Sequence, residues 1–343
     1  MREPIAQYRS RSISRRNFLK SLAAAGVSLA AAIVPPAATA QQPGWPSRVV
    51  RIIATSPPGG SIDFLARTLA EEYGKSFGQQ FIVENRPGAN GNIGVDLVVK
   101  APADGHMLFV TAPGPFSINP NLYDSMPFNP VADIAPVALL AIAPLVLVVH
   151  PAVPAKDLKQ LLAWMRAQSG NVNYASQAVG ATGHLAMELL KSRAGVEATH
   201  VPYKGSAAEA TVALLSGHVA MSFANTSATL PYIRSGRLRA IAVAELKRIA
   251  AAPEIPTVDE SGLPGFEATP WLGFGVRAGT PREIINQLND AATRALARPE
   301  AARRMSQLGI EPRPMTAEQF ADFVRTETAK WGSVIRRSGA RAD

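Results

Sequence analysis

The chain has 343 residues, 47% of them apolar and 18% charged, which is ample for two ordinary cores and excludes disorder as its default state. It contains no cysteine, so thiol catalysis, disulfides and thiolate metal sites are ruled out. The net charge of +9 is lopsided: residues 1–40 hold five Arg, one Lys and one Glu, and the remainder has no basic run interleaved with aromatics, which argues against a nucleic-acid partner.

The segment Ser14-Arg15-Arg16-Asn17-Phe18-Leu19-Lys20 precedes an alanine-rich apolar run from Leu22 to Val34 and then Ala38-Thr39-Ala40. Paired arginines, a short apolar region and a small-x-small site are the order of a twin-arginine export signal. The run is shorter than the roughly twenty apolar residues that span a bilayer, and it ends in Pro35-Pro36. Residues 1–40 therefore read as a signal peptide cleaved after Ala40, leaving a periplasmic protein. The richest later apolar stretch, Val137 to Val149, is thirteen residues long and contains Pro144, too short to cross a membrane.

Val49 to Ala54 reads as a strand. It enters the loop Thr55-Ser56-Pro57-Pro58-Gly59-Gly60, and a helix follows with Ile62, Leu65, Ala66 and Leu69 on one face. Ser61 is expected at its N-cap, with Asp63 in the first turn forming a surface i, i+4 pair with Arg67. The pattern then repeats: a strand at Phe81 to Val83, a loop at Pro87 to Gly91, and a helix carrying Ile93, Leu97 and Val98. Glycines let such loops turn sharply and leave their N–H groups uncovered, and each helix start adds the positive end of its dipole. Both loops suit a small anion, and both also suit an ordinary strand-to-helix turn. If the strands are neighbours, the loops converge at the sheet edge where open parallel sheets bind ligands.

Met107 to Thr111 is a third strand with a rigid exit, Ala112-Pro113-Gly114-Pro115, and irregular chain through Asn119 to Tyr123. Ile134 to His150 is one long strand or two broken at Pro144, and is the hinge candidate. A helix at Lys156 to Gln168 follows. A second α/β series begins at Val172 to Tyr174, whose exit runs from Ala175 to His184. This is a third anion-friendly loop, with hydroxyls on Ser176 and Thr182, Thr182 as a possible N-cap, and a stripe of Leu185, Leu189 and Leu190 beyond. Thr199 to Pro202 leads through Tyr203-Lys204-Gly205-Ser206 to an alanine-rich helix ending at Leu215. Val219 to Phe223 and Leu238 to Val243 are strands, with Asn225 to Ser227 at a strand exit. Proline-rich chain from Pro253 to Pro270 returns to a strand at Trp271 to Val276, and helices at 282–297, 300–308 and 317–337 complete the chain.

Chemistry-bearing patterns are scarce. The five histidines form no His-Glu-x-x-His and no pair at helical spacing, so no metal site is expected and His184 reads as a hydrogen-bonded wall residue. There is no Gly-x-Ser-x-Gly elbow and no Walker loop. Gly273-Phe274-Gly275-Val276-Arg277-Ala278 matches a dinucleotide fingerprint in letters alone, because it lies inside a strand and its helix waits until after Pro281. No catalytic constellation and no cofactor is implied, which favours a binder over an enzyme.

Several ordered motifs together resemble one family. Arg51-Ile52-Ile53 with Pro57-Pro58-Gly59-Gly60 and Asp63, then Val83-Glu84-Asn85-Arg86-Pro87-Gly88-Ala89-Asn90-Gly91, then Ala103-Asp104-Gly105 are similar to the Bug family of extracytoplasmic solute receptors. These are the substrate-binding components associated with tripartite tricarboxylate transporters. The likeness continues through Asn119-Pro120-Asn121-Leu122-Tyr123, Val201-Pro202-Tyr203-Lys204-Gly205-Ser206, Pro256-Thr257-Val258 and Gly279-Thr280-Pro281, and so covers the mature chain.

The resemblance implies an α/β, two-lobed periplasmic binding protein fold of type II-like form, each lobe a mainly parallel sheet flanked by helices, with the ligand in the interlobe cleft. Lobe 1 is expected at 41–145 plus 268–343, and lobe 2 at 146–267. It implies a monomer that closes on a small organic carboxylate and hands it to the membrane permease subunits. Ser56, Gly59, Gly60, Ala89, Asn90 and Gly91 would form one side of the site, and Ser176, Ala181 and Thr182 the other; Tyr203 and Lys204 are equally explained by a packed strand end. A receptor for a membrane kinase, or an enzyme using the same cleft, are the alternatives. Two departures bear on the ligand: Thr55-Ser56 stands where the family often has Pro-Phe, and Ala220 where it commonly has Asp, which together favour a polar or hydroxylated carboxylate over an amino acid.

Overall fold

A computed structural model describes residues 44–203 and 207–342. The export signal, its cleavage after Ala40, and Lys204 lie outside the described residues. The strands are β1 (Val50–Ala54), β2 (Phe81–Asn85), β3 (Met107–Thr111), β4 (Ile134–Ile142), β5 (Leu145–Val149), β6 (Asn173–Ser176), β7 (Thr199–Pro202), β8 (Met221–Asn225), β9 (Arg239–Val243), β10 (Trp271–Arg277) and β11 (Glu311–Pro312). The longer helices are α1 (Ser61–Phe77), α2 (Asn92–Val99), α3 (Leu158–Ala167), α4 (Thr182–Ala194), α5 (Ala207–Leu215), α6 (Thr226–Arg234), α7 (Arg282–Leu296), α8 (Pro299–Gln307) and α9 (Ala317–Ser338). Two sheets form, ordered β11-β4-β10-β3-β1-β2 and β7-β6-β8-β5-β9.

Each sheet is the middle layer of its lobe because its strands are apolar on both faces. In β1, Val50, Ile52 and Ala54 pack with Leu65, Leu69 and Tyr73 of α1, while Ile53 points the other way onto Val95 and Val98 of α2. In β5, Leu145, Leu147 and Val149 meet α3 and α4, and Val146 and Val148 meet α5 and α6. Alternation along one strand thus settles which helices cover which face. In α2 the buried side is Val95, Val98 and Val99, whereas Ile93 and Leu97, expected in the stripe, are 55% and 37% exposed. The expected stripe was set one residue out of phase with the face that meets β1.

The sheets are mixed, where mainly parallel ones were expected. Strands β2, β1 and β3 run parallel, as do β7, β6 and β8, but β10 is antiparallel to β3 and β4, and β5 is antiparallel to β8 and β9. Two of the reversed strands, β5 and β10, follow crossings between lobes, and a chain that enters a sheet from its cleft edge must run against the strands that exit there; the short β11 is also antiparallel to β4. The break at Pro144 does separate two strands, β4 in one sheet and β5 in the other. Beside it, Ala143 N donates to Pro270 O at 2.8 Å, Ala244 N to Leu145 O at 2.9 Å, and Ala268 N to Ala244 O at 2.9 Å. The crossing segments, which include the hinge candidate, are stitched together there into a short ribbon.

The last helix spans both lobes. Thr316 and Gln319 close a capping box at its start, the reciprocal pairing that a Thr-x-x-Gln sequence allows, worth about 1 kcal/mol. Phe320 packs with Trp271 and Phe116 in the first lobe, whereas Trp331, Val334 and Ile335 enter the core of the second. Glu327 Oε2 accepts from Trp271 Nε1 at 3.1 Å and Trp331 Nε1 at 2.9 Å, holding both indoles in place.

Candidate functional site

The parallel pairing of β1 with β2 and β3 brings three strand exits to one edge of the first sheet. The exits of β6 and β8 stand opposite, and a cleft of about 440 Å³ lies between. Ser56, Pro57, Gly60, Ser61 and Asn90 line one side, and Gln177, Gly180, Ala181 and Thr182 the other, with Pro113, Gly114, Ile118, Asn225 and Pro270 between them. Of the expected site residues, Ser56, Gly60, Asn90, Ala181 and Thr182 are brought together here.

Two helices begin at this cleft. The first intrahelical bonds are Phe64 N to Gly60 O in α1 and Leu185 N to Ala181 O in α4. The amides of Ser61, Ile62 and Asp63, and those of Thr182, Gly183 and His184, therefore precede any helical acceptor. The N-caps are Gly60 and Ala181, and neither supplies a side-chain cap. This corrects the placement of Ser61 and Thr182, which are the first helical residues. An uncapped N-terminus keeps its donors available, and two such ends facing one space favour an anionic guest.

The first-lobe loops are held by side chains behind them. Asp63, expected on the surface, is 5% exposed and accepts from Gly59 N at 3.0 Å, Asn85 Nδ2 at 2.9 Å and Arg67. Burial disfavours its charge, but the Arg67 guanidinium, the Gly59 N–H and the Asn85 amide outweigh that and hold its carboxyl below the usual range. Asn85 Nδ2 also donates to Ser56 O at 3.0 Å, so one carboxylate and one amide fix the whole 56–59 turn. Asp63 is a positioning group, and the N–H of Gly59 is spent on it.

The second loop is strained. Ala89 and Asn90 have φ of 46° and 50°, between glycines at 125° and 91's 94°, and non-glycine residues there cost of order 1 to 3 kcal/mol each. Asn119 holds it: Asn90 Nδ2 donates to Asn119 Oδ1 at 2.7 Å, while Asn119 Nδ2 reaches Asn90 O at 3.2 Å and Asn92 Oδ1 at 2.7 Å. Asn119 lies in a single helical turn, Asn119–Leu122, following a π-turn at Gly114–Ile118 where irregular chain was expected. Gly114 is needed because a Cβ there would sit 2.5 Å from Asn90 O. Asn90 faces the cleft, whereas Gly91 is buried with its N–H donated to Gly88 O at 2.9 Å, and Ala89 is exposed outside the lining.

Behind the second-lobe loop lies a ring stack. His184 and His200 are 3.9 Å apart at 12°, and Tyr174 stacks on His200 at 5.0 Å. Gly180 N donates to His184 Nδ1 at 3.1 Å, and Ser176 Oγ lies 2.6 Å from His200 Nε2 and donates to Ala178 O at 2.9 Å. Ser176 is thus buried inside the lobe, and its hydroxyl faces this stack instead of the cleft. Burial, the neighbouring His200 and Lys191 push His184 down to about 3; burial and Lys191, partly offset by Glu188, push His200 down to about 4. His184 is the wall residue that its isolation in the sequence suggested.

The two departures that were tied to ligand choice fare differently. Thr55 turns inward, its Oγ1 donating to Thr111 Oγ1 at 2.7 Å, so of the pair only Ser56 offers the cleft a hydroxyl. Ala220 precedes β8, whose other end, Asn225, is the one at the cleft. At about 3.3 Å per residue it is too far away to select a ligand directly, which removes that argument. Gln177, Asn225, Gly114 and Pro270 are lining residues that sequence reading did not single out; the strand-exit position of Asn225 was the available signal. Among the described residues no group of three or more His, Cys, Asp or Glu could hold a metal, and no helix is long and apolar enough to cross a membrane.

Known proteins are similar to this chain in sequence and fold. The family model described as tripartite tricarboxylate transporter family receptor matches residues 65–340. Protein BugT of Bordetella pertussis is 36% identical over 326 residues, covering 95% of this chain and 99% of its own. The solved structure of R. palustris Rpa4515 with adipate gives a TM-score of 0.75 at 34% identity, over 87% of this chain and 99% of that one. MatC from Rhodopseudomonas palustris with bound malate gives 0.72 at 32% identity, over 85% and 100%.

Proposed function

The chain belongs to the Bug receptors of the tripartite tricarboxylate transporter family, and we propose that it captures a small organic carboxylate between its lobes and presents it to the permease of such a transporter. The observation that carries this reading is the pair of uncapped helix starts, at Ser61 and Thr182, that face one cleft from opposite lobes. Relatives solved with adipate and malate fix the ligand class in those proteins and support the same class here.

No lysine or arginine lines the cleft among the described residues, so main-chain N–H and hydroxyl donors would hold a carboxylate between the helix starts. Hydrogen bonds to a charged acceptor contribute about 1.5 to 3 kcal/mol each, and water can relay them. Ser56, Gly60, Asn90, Ala181 and Thr182 form the grip. The lobes exchange at the ribbon around residues 143–145 and 268–270, which supports boundaries near 145 and 267. Export through the twin-arginine signal, cleavage after Ala40, a monomeric state and the absence of turnover complete the reading; the arginine pair at 15–16 supports the first, and the solute-receptor family supports the last.

The test is thermal unfolding of the purified protein against mono-, di- and tricarboxylates, aromatic acids, amino acids and sugars. A ligand at one hundred times its dissociation constant should stabilise the fold by about 2.7 kcal/mol. A shift with one carboxylate class, lost on Thr182→Trp, is expected. A shift with a neutral sugar alone would refute the reading.

A further inference from the structure

The cleft does not end at the helix starts. Gln177, Asn225 and Pro270 border both it and a second hollow of about 40 Å³ set into the second lobe. A single water needs about 10–15 Å³ by this measure, so the hollow takes roughly three water-sized groups. Its walls are Leu145 from β5, Phe223 from β8, Ala228 from α6, and Ala207, Ala210 and Leu214 from α5. The three from α5 fall at i, i+3 and i+7, so the alanine-rich helix turns one continuous stripe to this space, and its small side chains are what leave the room.

The hydroxyls that border the hollow are already committed. Thr211 Oγ1 donates to Ala207 O at 2.8 Å and Ser222 Oγ donates to Ala175 O at 2.9 Å. The remaining polar groups are Gln177 and Asn225, which the hollow shares with the cleft, and the N–H of Gly183 at the start of α4; the other described walls are apolar side chains. A carboxylate pushed in among these side chains would lose its water and meet hydrocarbon.

Resting on the carboxylate reading above, we infer that the hollow holds the uncharged tail of the ligand, so that this receptor selects a monocarboxylate with a short aliphatic end of about three heavy atoms over an acid charged at both ends. The carboxylate sits between the helix starts, and the tail passes Gln177 and Asn225 into the second lobe. In this the chain parts from its relatives solved with adipate and malate.

Calorimetric titration of the full chain with straight-chain monocarboxylates from propanoate to octanoate, and with adipate beside hexanoate, tests the assignment. Affinity should rise about fourfold per methylene over about three successive additions and then level off, and hexanoate should bind more tightly than adipate. Ala210→Leu fills the hollow and should flatten the series without weakening the shortest acid that binds. Ala228→Leu, on an exposed wall position that does not disturb the core, should do the same and guards against a folding defect in the first variant. Tighter binding of adipate than of hexanoate, or a length series that both variants leave intact, would overturn the inference while leaving a carboxylate receptor standing. Failure of all these acids while another carboxylate of the unfolding panel binds would overturn this inference alone, and failure of every carboxylate in that panel would overturn both.

Discussion

The two sides of the cleft present similar helix starts but hold them with different chemistry. On the first-lobe side the restraints are amides and one carboxylate: Asn119 bridges Asn90 and Asn92, and Asp63 receives Gly59 N–H. On the second-lobe side the loop before α4 leans on stacked imidazoles, with Gly180 N–H donated to His184 Nδ1. An amide keeps its donors and acceptors throughout the working pH range, whereas Nδ1 accepts only while the ring is neutral. One rim is thus held by bonds indifferent to mild acid and the other by a bond that protonation removes.

The largest test of that difference is acid. An unfolded histidine titrates near 6.5, while folded His184 and His200 do so at about 3 and about 4. Their folded values are depressed, so the stability they contribute is present above pH 6.5 and is lost as pH falls toward 4. His184 alone accounts for roughly 3 kcal/mol of that loss by pH 4. Urea unfolding of the protein and of His184→Asn at pH 7 and pH 4.5 checks it, and the variant should show the shallower dependence. An equal dependence in both would place the acid sensitivity elsewhere.

Next in size is steric. Gly180 has a φ of +75°, and an added Cβ would run into Leu122 Cδ2, which approaches from the chain that follows the first sheet's third strand. Gly180→Val therefore combines a disfavoured backbone with overpacking and should cost about 3 kcal/mol. At Gly60 nothing stands within 4 Å of an added Cβ and φ is −86°, so Gly60→Ala should fall within about 0.5 kcal/mol of the parent. Denaturant midpoints for the two variants compare the rims directly.

A third region has to be separated before the acid comparison is clean. Glu245, just beyond the stitched residue Ala244, is 6% exposed, and burial pushes its carboxyl up to about 7, with Glu267 and Glu311 adding to that and Thr269 and Arg313 opposing it. A raised acid acts opposite to the histidines: the fold loses up to roughly 4 kcal/mol as pH climbs from the unfolded value, near 4.3, through 7. Glu245→Gln should remove that loss, so it should stabilise the protein at pH 8 relative to pH 5 and expose the histidine slope unmasked. Thermal midpoints across pH 5 to 8 decide it; a variant no more stable than the parent at pH 8 would deny Glu245 this role.

How much of this was legible in the sequence depends on the distance between partners. The strand-loop-helix units at 50–77 and 81–99 are local patterns of alternating apolar residues and glycines, and they were read nearly to the residue. The helix from Thr226 was not, because Pro231 inside it reads as a breaker. Strand direction has no signature in a short buried strand, which is why the mixed sheets went unread. Ser176 reads as a site residue because it carries a hydroxyl in a glycine loop whose later residues, Gly180 to Thr182, line the cleft. What turns it inward is His200, brought beside it by the pairing of β6 with β7, and no spacing rule could have announced that contact.

The smallest expected effect is the one that isolates the first rim. Asn119 is fully buried, and its side chain touches both the strained residue Asn90 and the start of α2 at Asn92. Asn119→Ala leaves the Asn90 amide and carbonyl and the Asn92 oxygen without partners, which should cost about 1 to 3 kcal/mol. The left-handed conformations at Ala89 and Asn90 lose their restraint at the same time, so ligand affinity should fall further than stability does. No group in this cluster titrates between pH 5 and 7, so the stability loss should be the same at both. If the loss instead shrinks in acid, the two rims share a coupled restraint, and the division between an acid-indifferent and an acid-sensitive side would have to be abandoned.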